Sequence, residues 1–88
     1  GVDSSVKNSI IADGCVIDGT VENSILFRSV KVGKGAVVRN SIVMEDGIIM
    51  ENATLDYTIT DKDVIIKDGR HLSGHESYPM VVVKGKVI

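Results

Sequence analysis

Apolar residues recur along this chain in three interleaved columns whose members lie 15–17 residues apart. One column is Val6, Val21, Val38 and Leu55; the second is Ile11, Leu26, Val43 and Thr60; the third is Ile17, Val32, Ile49 and Ile66. Only Thr60 is not aliphatic. Side chains alternate between the two faces of a strand, so the residue two places before each column member points the same way. Those residues are Gly19, Ala36 and Ala53 on the first side, Ser9, Ser24, Ser41 and Thr58 on the second, and Cys15, Val30, Gly47 and Val64 on the third. A small residue followed by a large one on three sides predicts a narrow triangular prism, with the large residue filling the axis. The expected fold is therefore all-β: a parallel β-helix of about four coils over residues 1–68, and a carboxy-terminal extension over 69–88, of loop and short strands, packing on it.

The columns run through a repeated pentapeptide, Val-x-Asn-Ser-Ile, starting at Val6, Val21 and Val38, with Leu55-Asp56-Tyr57-Thr58-Ile59 as a variant fourth copy. The period is too short for helical-pair repeats and suits a coil of three hexapeptides. Asn8, Asn23 and Asn40 stack at one corner, where amides can bond along a ladder and Asn tolerates the turn conformation. The fourth coil places Tyr57 there. Stacking also suits a chain of 88 residues, because each coil buries its inner face on the next, whereas a compact domain of this size buries little surface.

The outward positions of the second side, Ile10, Ile25, Ile42 and Ile59, form an unbroken isoleucine ladder. The corresponding rows elsewhere are mixed: Thr20, Val37 and Thr54 on the first side, and Val16, Lys31, Ile48 and Ile65 on the third. Soluble monomers rarely leave such a stripe bare, so the ladder is expected to be an interface. It is covered either by the chain's own Met80-Val81-Val82-Val83 or by another domain or subunit. Asp61-Lys62-Asp63 and Lys67-Asp68 charge the last regular coil and would blunt that end against edge pairing.

Composition narrows the partners. Apolar residues make up 43% and aromatics 3%, with Val and Ile dominant, which suits strands. Ten basic residues are scattered against twelve acidic ones, so neither nucleic acid nor an anionic membrane is an expected partner. No apolar run approaches the ~20 residues of a membrane span. Lone Cys15 cannot form an internal disulfide, which fits a cytoplasmic location, and with no basic neighbour to activate it reads as a small core residue. The abrupt opening at Gly1-Val2-Asp3 suggests a piece excised from a longer protein.

The segments Val32-Gly33-Lys34-Gly35-Ala36-Val37 and Ile17-Asp18-Gly19-Thr20-Val21 resemble the hexapeptides of left-handed parallel β-helices, and the left hand is implied by that resemblance alone. More specifically, Asn23-Ser24-Ile25-Leu26-Phe27-Arg28, Asn40-Ser41-Ile42-Val43-Met44 and Thr60-Asp61-Lys62-Asp63-Val64 resemble the carboxy-terminal domain of the glucose-1-phosphate adenylyltransferase family. The tail, Asp68-Gly69-Arg70-His71-Leu72 through Tyr78-Pro79-Met80-Val81-Val82, is most similar to the catalytically degenerate D-type subunit of glycogen biosynthesis. The resemblance implies an assembly and regulatory role. It also implies an upstream nucleotidyltransferase domain that makes ADP-glucose from ATP and glucose 1-phosphate with Mg. Homo- or hetero-oligomers with adenylyltransferase subunits, and docking on the protein's own catalytic domain, follow as expected partnerships.

A nucleotidyltransferase needs a glycine-rich phosphate loop and magnesium-holding carboxylates, and neither is legible here. No catalytic residue, metal ligand or cofactor is expected within the fragment. The resemblance implies that Lys62, in Asp61-Lys62-Asp63, and Lys84, in Val82-Val83-Lys84-Gly85, bind an anionic sugar-phosphate effector, with Arg70 as a third candidate. Asp63 stands where the family has Asn, an unfavourable charge beside an anion. A different class of reading, a hexapeptide acyltransferase, would draw its base from His71 or His75, although both fall in a Gly- and Ser-rich connector that reads as a solvated loop. A purely structural solenoid is the third alternative.

Overall fold

A computed structural model describes residues 4–88; Gly1-Val2-Asp3, with the suggested cut, lie outside the described residues. Fourteen short strands wind around three sides, and no helix occurs among the described residues. The first side stacks β1 (Ser5–Lys7), β4 (Thr20–Glu22), β7 (Val37–Arg39), β10 (Thr54–Asp56) and β13 (His71–Ser73). The second stacks β2 (Ile10–Ile11), β5 (Ile25–Leu26), β8 (Ile42–Val43), β11 (Thr58–Thr60) and β14 (Met80–Val82). The third stacks β3 (Val16–Ile17), β6 (Lys31–Val32), β9 (Ile48–Ile49) and β12 (Ile65–Ile66). Every strand pairing is parallel and joins one coil to the next. The result is a solenoid of about four complete turns, consistent with the left-handed β-helix of hexapeptide-repeat proteins.

The three columns stack in register: Val6 on Val21, Val38 and Leu55; Ile11 on Leu26; Val43 on Thr60; Ile17 on Val32 and Ile49. Their members, with Val30, Ala36, Ala53 and Val64, make one core along the axis, closed at the far end by Leu72 and Val82. Cys15 is partly buried against that core, and its thiol donates to the Phe27 carbonyl oxygen (3.1 Å).

Hydroxyls and amides organise the corner between the first and second sides. Asn8, Asn23, Asn40 and Tyr57 all adopt φ near +50°, a conformation Asn accepts more readily than most residues. The Asn8 amide donates to Asn23 Oδ1 and that of Asn23 to Asn40 Oδ1. With Tyr57 in the next coil, the Asn40 amide donates instead to the Asp56 carboxylate (3.1 Å). Inside the corner, the N–H of Ser24 donates to Ser9 Oγ, that of Ser41 to Ser24 Oγ, and that of Thr58 to Ser41 Oγ, each at 3.1 Å. Each hydroxyl in turn donates to the carbonyl two residues back. The small inward residues of this side are hydroxylated because a corner N–H there would otherwise be buried unpaired.

The one column member that breaks the aliphatic pattern carries the exception to this satisfaction. Thr60 is fully buried, and its Oγ1 has no hydrogen-bond partner. A buried hydroxyl without a partner costs about 1–3 kcal/mol. Thr60→Val, similar in shape and without that group, is expected to raise stability by about 1 kcal/mol, read as a higher urea midpoint with an unchanged slope.

The tail differs from the expectation in two respects. Residues 71–73 are not a solvated loop: they form β13 and pair with β10, placing Leu72 over Leu55. Met80–Val82 does not fold back over the isoleucine ladder but pairs with β11, so Val81 extends the ladder above Ile59. The charged segments 61–63 and 67–68 therefore lie inside the stack and do not cap it. What concealed this fifth coil is an insertion: 22 residues separate Ile59 from Val81, against 17 from Ile42 to Ile59. The additional residues form a hairpin in which His75 and Tyr78 exchange backbone bonds of 3.0 and 2.9 Å. Gly74 begins it because a Cβ there would strike the Tyr57 carbonyl oxygen and the Met80 nitrogen.

Candidate functional site

The outer surface of the second side is one apolar stripe built by strand alternation. Leu26, Val43 and Val82 turn inward and are buried, while Ile10, Ile25, Ile42, Ile59 and Val81 turn outward. Exposure is greatest at the two ends, 66% at Ile10 and 62% at Val81. Ile42 and Ile59, flanked by neighbours above and below, are half-buried. Two residues further along each coil, Phe27 and Val83 are also exposed and Met44 half-exposed, widening the stripe. Near its start, Ile10, Ala12, Ile25 and Phe27 line a groove of about 270 Å³ that is mostly apolar, rimmed by Arg28 and Glu45. All four isoleucines assigned to an interface thus share one face, and Val81 joins them.

The effector candidates separate. Lys62 and Lys84 occupy the same place in consecutive coils, at the corner between the second and third sides, where the Gly85 N–H donates to the Lys62 carbonyl oxygen (3.0 Å). Both side chains are exposed. Asp61 turns its carboxylate to the Lys62 N–H (2.7 Å), capping the turn. Arg70 sits at another corner, between the third and first sides, where its carbonyl accepts from Thr54 N–H (2.7 Å). The sequence spacing concealed the pairing of the two lysines, because the hairpin insertion shifts Lys84 away from the 17-residue period.

The two histidines are likewise apart. His71 is exposed on β13 and stacks over Thr54; His75 stands in the hairpin, its Nδ1 3.4 Å from Ser77 Oγ. Among the described residues no group of three or more His, Cys, Asp or Glu is placed to hold a metal ion. No helix is long and apolar enough to cross a membrane. A polar hollow of about 410 Å³ opens beside Gly19, where the first coil turns in two fewer residues than the next. Gly19 is required there because a Cβ would come within 2.7 Å of the Gly33 carbonyl oxygen and closer still to that of Ala36.

Residues 1–77 match the family model described as GlmU-like, C-terminal hexapeptide. The glycogen biosynthesis protein GlgD of Bacillus subtilis (strain 168) is 47% identical over 87 residues, covering 99% of this chain and 25% of that protein. A glucose-1-phosphate adenylyltransferase of Acetivibrio thermocellus is 40% identical over 79 residues, 90% of this chain and 18% of that protein. GlgD of Geobacillus stearothermophilus is 74% identical over 38 residues, 43% of this chain and 11% of that protein. The chain thus spans a quarter or less of the length of these curated relatives.

Proposed function

This chain belongs to the GlmU-like C-terminal hexapeptide family, and on that premise we propose that it is the assembly and regulatory domain of a glucose-1-phosphate adenylyltransferase-type subunit in glycogen biosynthesis. The observation that carries the reading is the isoleucine stripe, an entire apolar side of the prism with no covering segment of its own. The names of the relatives, GlgD and glucose-1-phosphate adenylyltransferase, supply the pathway. In this reading, ADP-glucose formation from ATP and glucose 1-phosphate, with Mg, belongs to an upstream domain of a cytoplasmic parent protein. The present chain contributes docking, subunit contacts and the response to an anionic effector at Lys62 and Lys84, with Arg70 outside that pair.

The dimensions of the stripe favour a tethered occupant over a free one. Five rungs about 4.8 Å apart, with three or four residues across each, give a face of roughly 300 Å². A stable interface between independent proteins takes about 800 Å² from each partner. A domain joined to this one by a linker needs far less, because its effective concentration is already about millimolar. The chain's own catalytic domain is therefore the primary occupant, and contacts with other subunits extend from it.

Light scattering of this chain, alone and mixed with a catalytic glucose-1-phosphate adenylyltransferase subunit, tests the proposal. A mixed complex of defined mass is the expected result. A monomer that ignores the subunit, combined with assembly of the full-length protein that survives removal of residues 4–88, would overturn it.

A further inference from the structure

Charges stacked at the corner between the second and third sides alternate in sign from coil to coil until the last one. Asp13, Arg28, Glu45 and Lys62 occupy one place in successive coils: the N–H groups of Ser29, Asp46 and Asp63 donate to the carbonyls of Asp13, Arg28 and Glu45, each at 3.1 Å. Lys84 follows Lys62 in that place, so a cation meets a cation only at the fifth coil. On the first side the outward row Lys7, Glu22, Arg39 and Asp56 alternates without a break. Opposite charges on neighbouring strands attract and like charges repel, across rungs about 4.8 Å apart.

The same junction is weak in two further ways. Seating Val82 over Thr60 covers the hydroxyl that has no partner. On the third side the fifth coil is held by a single bridge, Ile65 to Val87, where the earlier coils pair two residues. The hairpin at residues 74–79 supplies slack ahead of β14, so residues 80–88 can leave the stack while β13 stays paired.

We infer that residues 80–88 form a detachable rung, and that a small phosphate-bearing polyanion bridging Lys62 and Lys84 clamps it to the fourth coil. The inference deepens the effector reading above in placing the ligand at these lysines; the break in alternation, the unpaired hydroxyl and the single bridge are independent of it. Asp61 opposes the anion little, its carboxylate being turned to the backbone, and Glu45 lies on the far side of Lys62 from Lys84. Docking of the rung places Val81 and Val83 on the apolar stripe, so anion binding lengthens the docking face. Effector occupancy and assembly are thereby linked through one movable coil.

Amide hydrogen exchange of this chain by NMR, with and without inorganic pyrophosphate at constant ionic strength, tests the inference. The N–H groups of Asp61, Ile65, Lys67, Gly85 and Ile88 bond across the junction of coils four and five. Those of Met44, Ile48 and Met50 bond across the preceding junction and serve as the internal reference. Without the anion the first group is expected to exchange at least about tenfold faster than the reference, through local opening, and pyrophosphate is expected to close most of that gap. Lys84→Glu restores the alternation and is expected to protect the first group without any anion and to abolish the response. Equal protection of both groups in the free chain, indifference to pyrophosphate, or wild-type exchange in Lys84→Glu would each overturn the inference. None of these outcomes depends on association with an adenylyltransferase subunit, whose failure would appear in the mixed-mass measurement instead.

Discussion

Leu55→Ala is expected to destabilise the chain by about 2–5 kcal/mol, seen as a large fall in the urea midpoint. Leu55 is fully buried and stacks between Val38 and Leu72 in the first column. The axis of a three-sided prism is narrow, and each coil sends one large residue into it from each side. Truncation removes one of those three residues in a coil that has coils on both sides, so the backbone ladder prevents collapse around the void. The loss then contains a cavity contribution as well as the transfer free energy. Such a loss is a large fraction of the marginal stability of a domain this size. Val6→Ala, in the same column but 46% exposed in the first coil, is expected to cost well under half as much; equal effects would mean that position in the stack does not govern burial.

Ile25→Asp combined with Ile42→Asp is expected to weaken association with the adenylyltransferase subunit by at least tenfold while leaving the fold intact. Both side chains point outward, and the neighbouring Leu26 and Val43 remain in the core. In the free chain the carboxylates meet water; in a complex they are buried in an apolar contact, and an unpaired buried charge costs several kcal/mol. The comparison variant is Thr20→Asp with Val37→Asp on the first side, which places the same charges on neighbouring rungs of a different face. Titration by light scattering or calorimetry separates the two. Loss of binding in both pairs would point to destabilised coils, and loss in neither would remove the second side from the interface.

Much of this architecture is legible in the sequence because the solenoid converts distance in space into a fixed period in the chain. Val21, Val38 and Leu55 are 17 residues apart and stack directly, so inspection of the columns recovers both core and register. The isoleucine face follows from the same period together with strand alternation. Legibility ends at the hairpin of residues 74–79, because a five-residue insertion destroys the period without destroying the stack. Leu72 fits the 17-residue spacing but lacks the Asn-Ser-Ile context, and Val82 and Lys84 fit no spacing used by earlier coils. The fifth coil, the extension of the stripe by Val81 and the pairing of Lys62 with Lys84 were hidden for that one reason. Thr60 was visible as the exception in its column, but its lack of a partner depends on neighbours that only the packed structure supplies.

The measurement closest to the central claim is hydroxyl-radical footprinting of the isolated chain and of the full-length protein in its assembled state. Ile10, Ile25 and Val81 on the second side are open to labelling in the isolated chain, as are Val16 on the third side and Tyr78 in the hairpin. The account predicts that assembly protects the first three and leaves Val16 and Tyr78 labelled as before. Unchanged labelling along the isoleucine stripe, with protection confined to other sides of the prism, would contradict it.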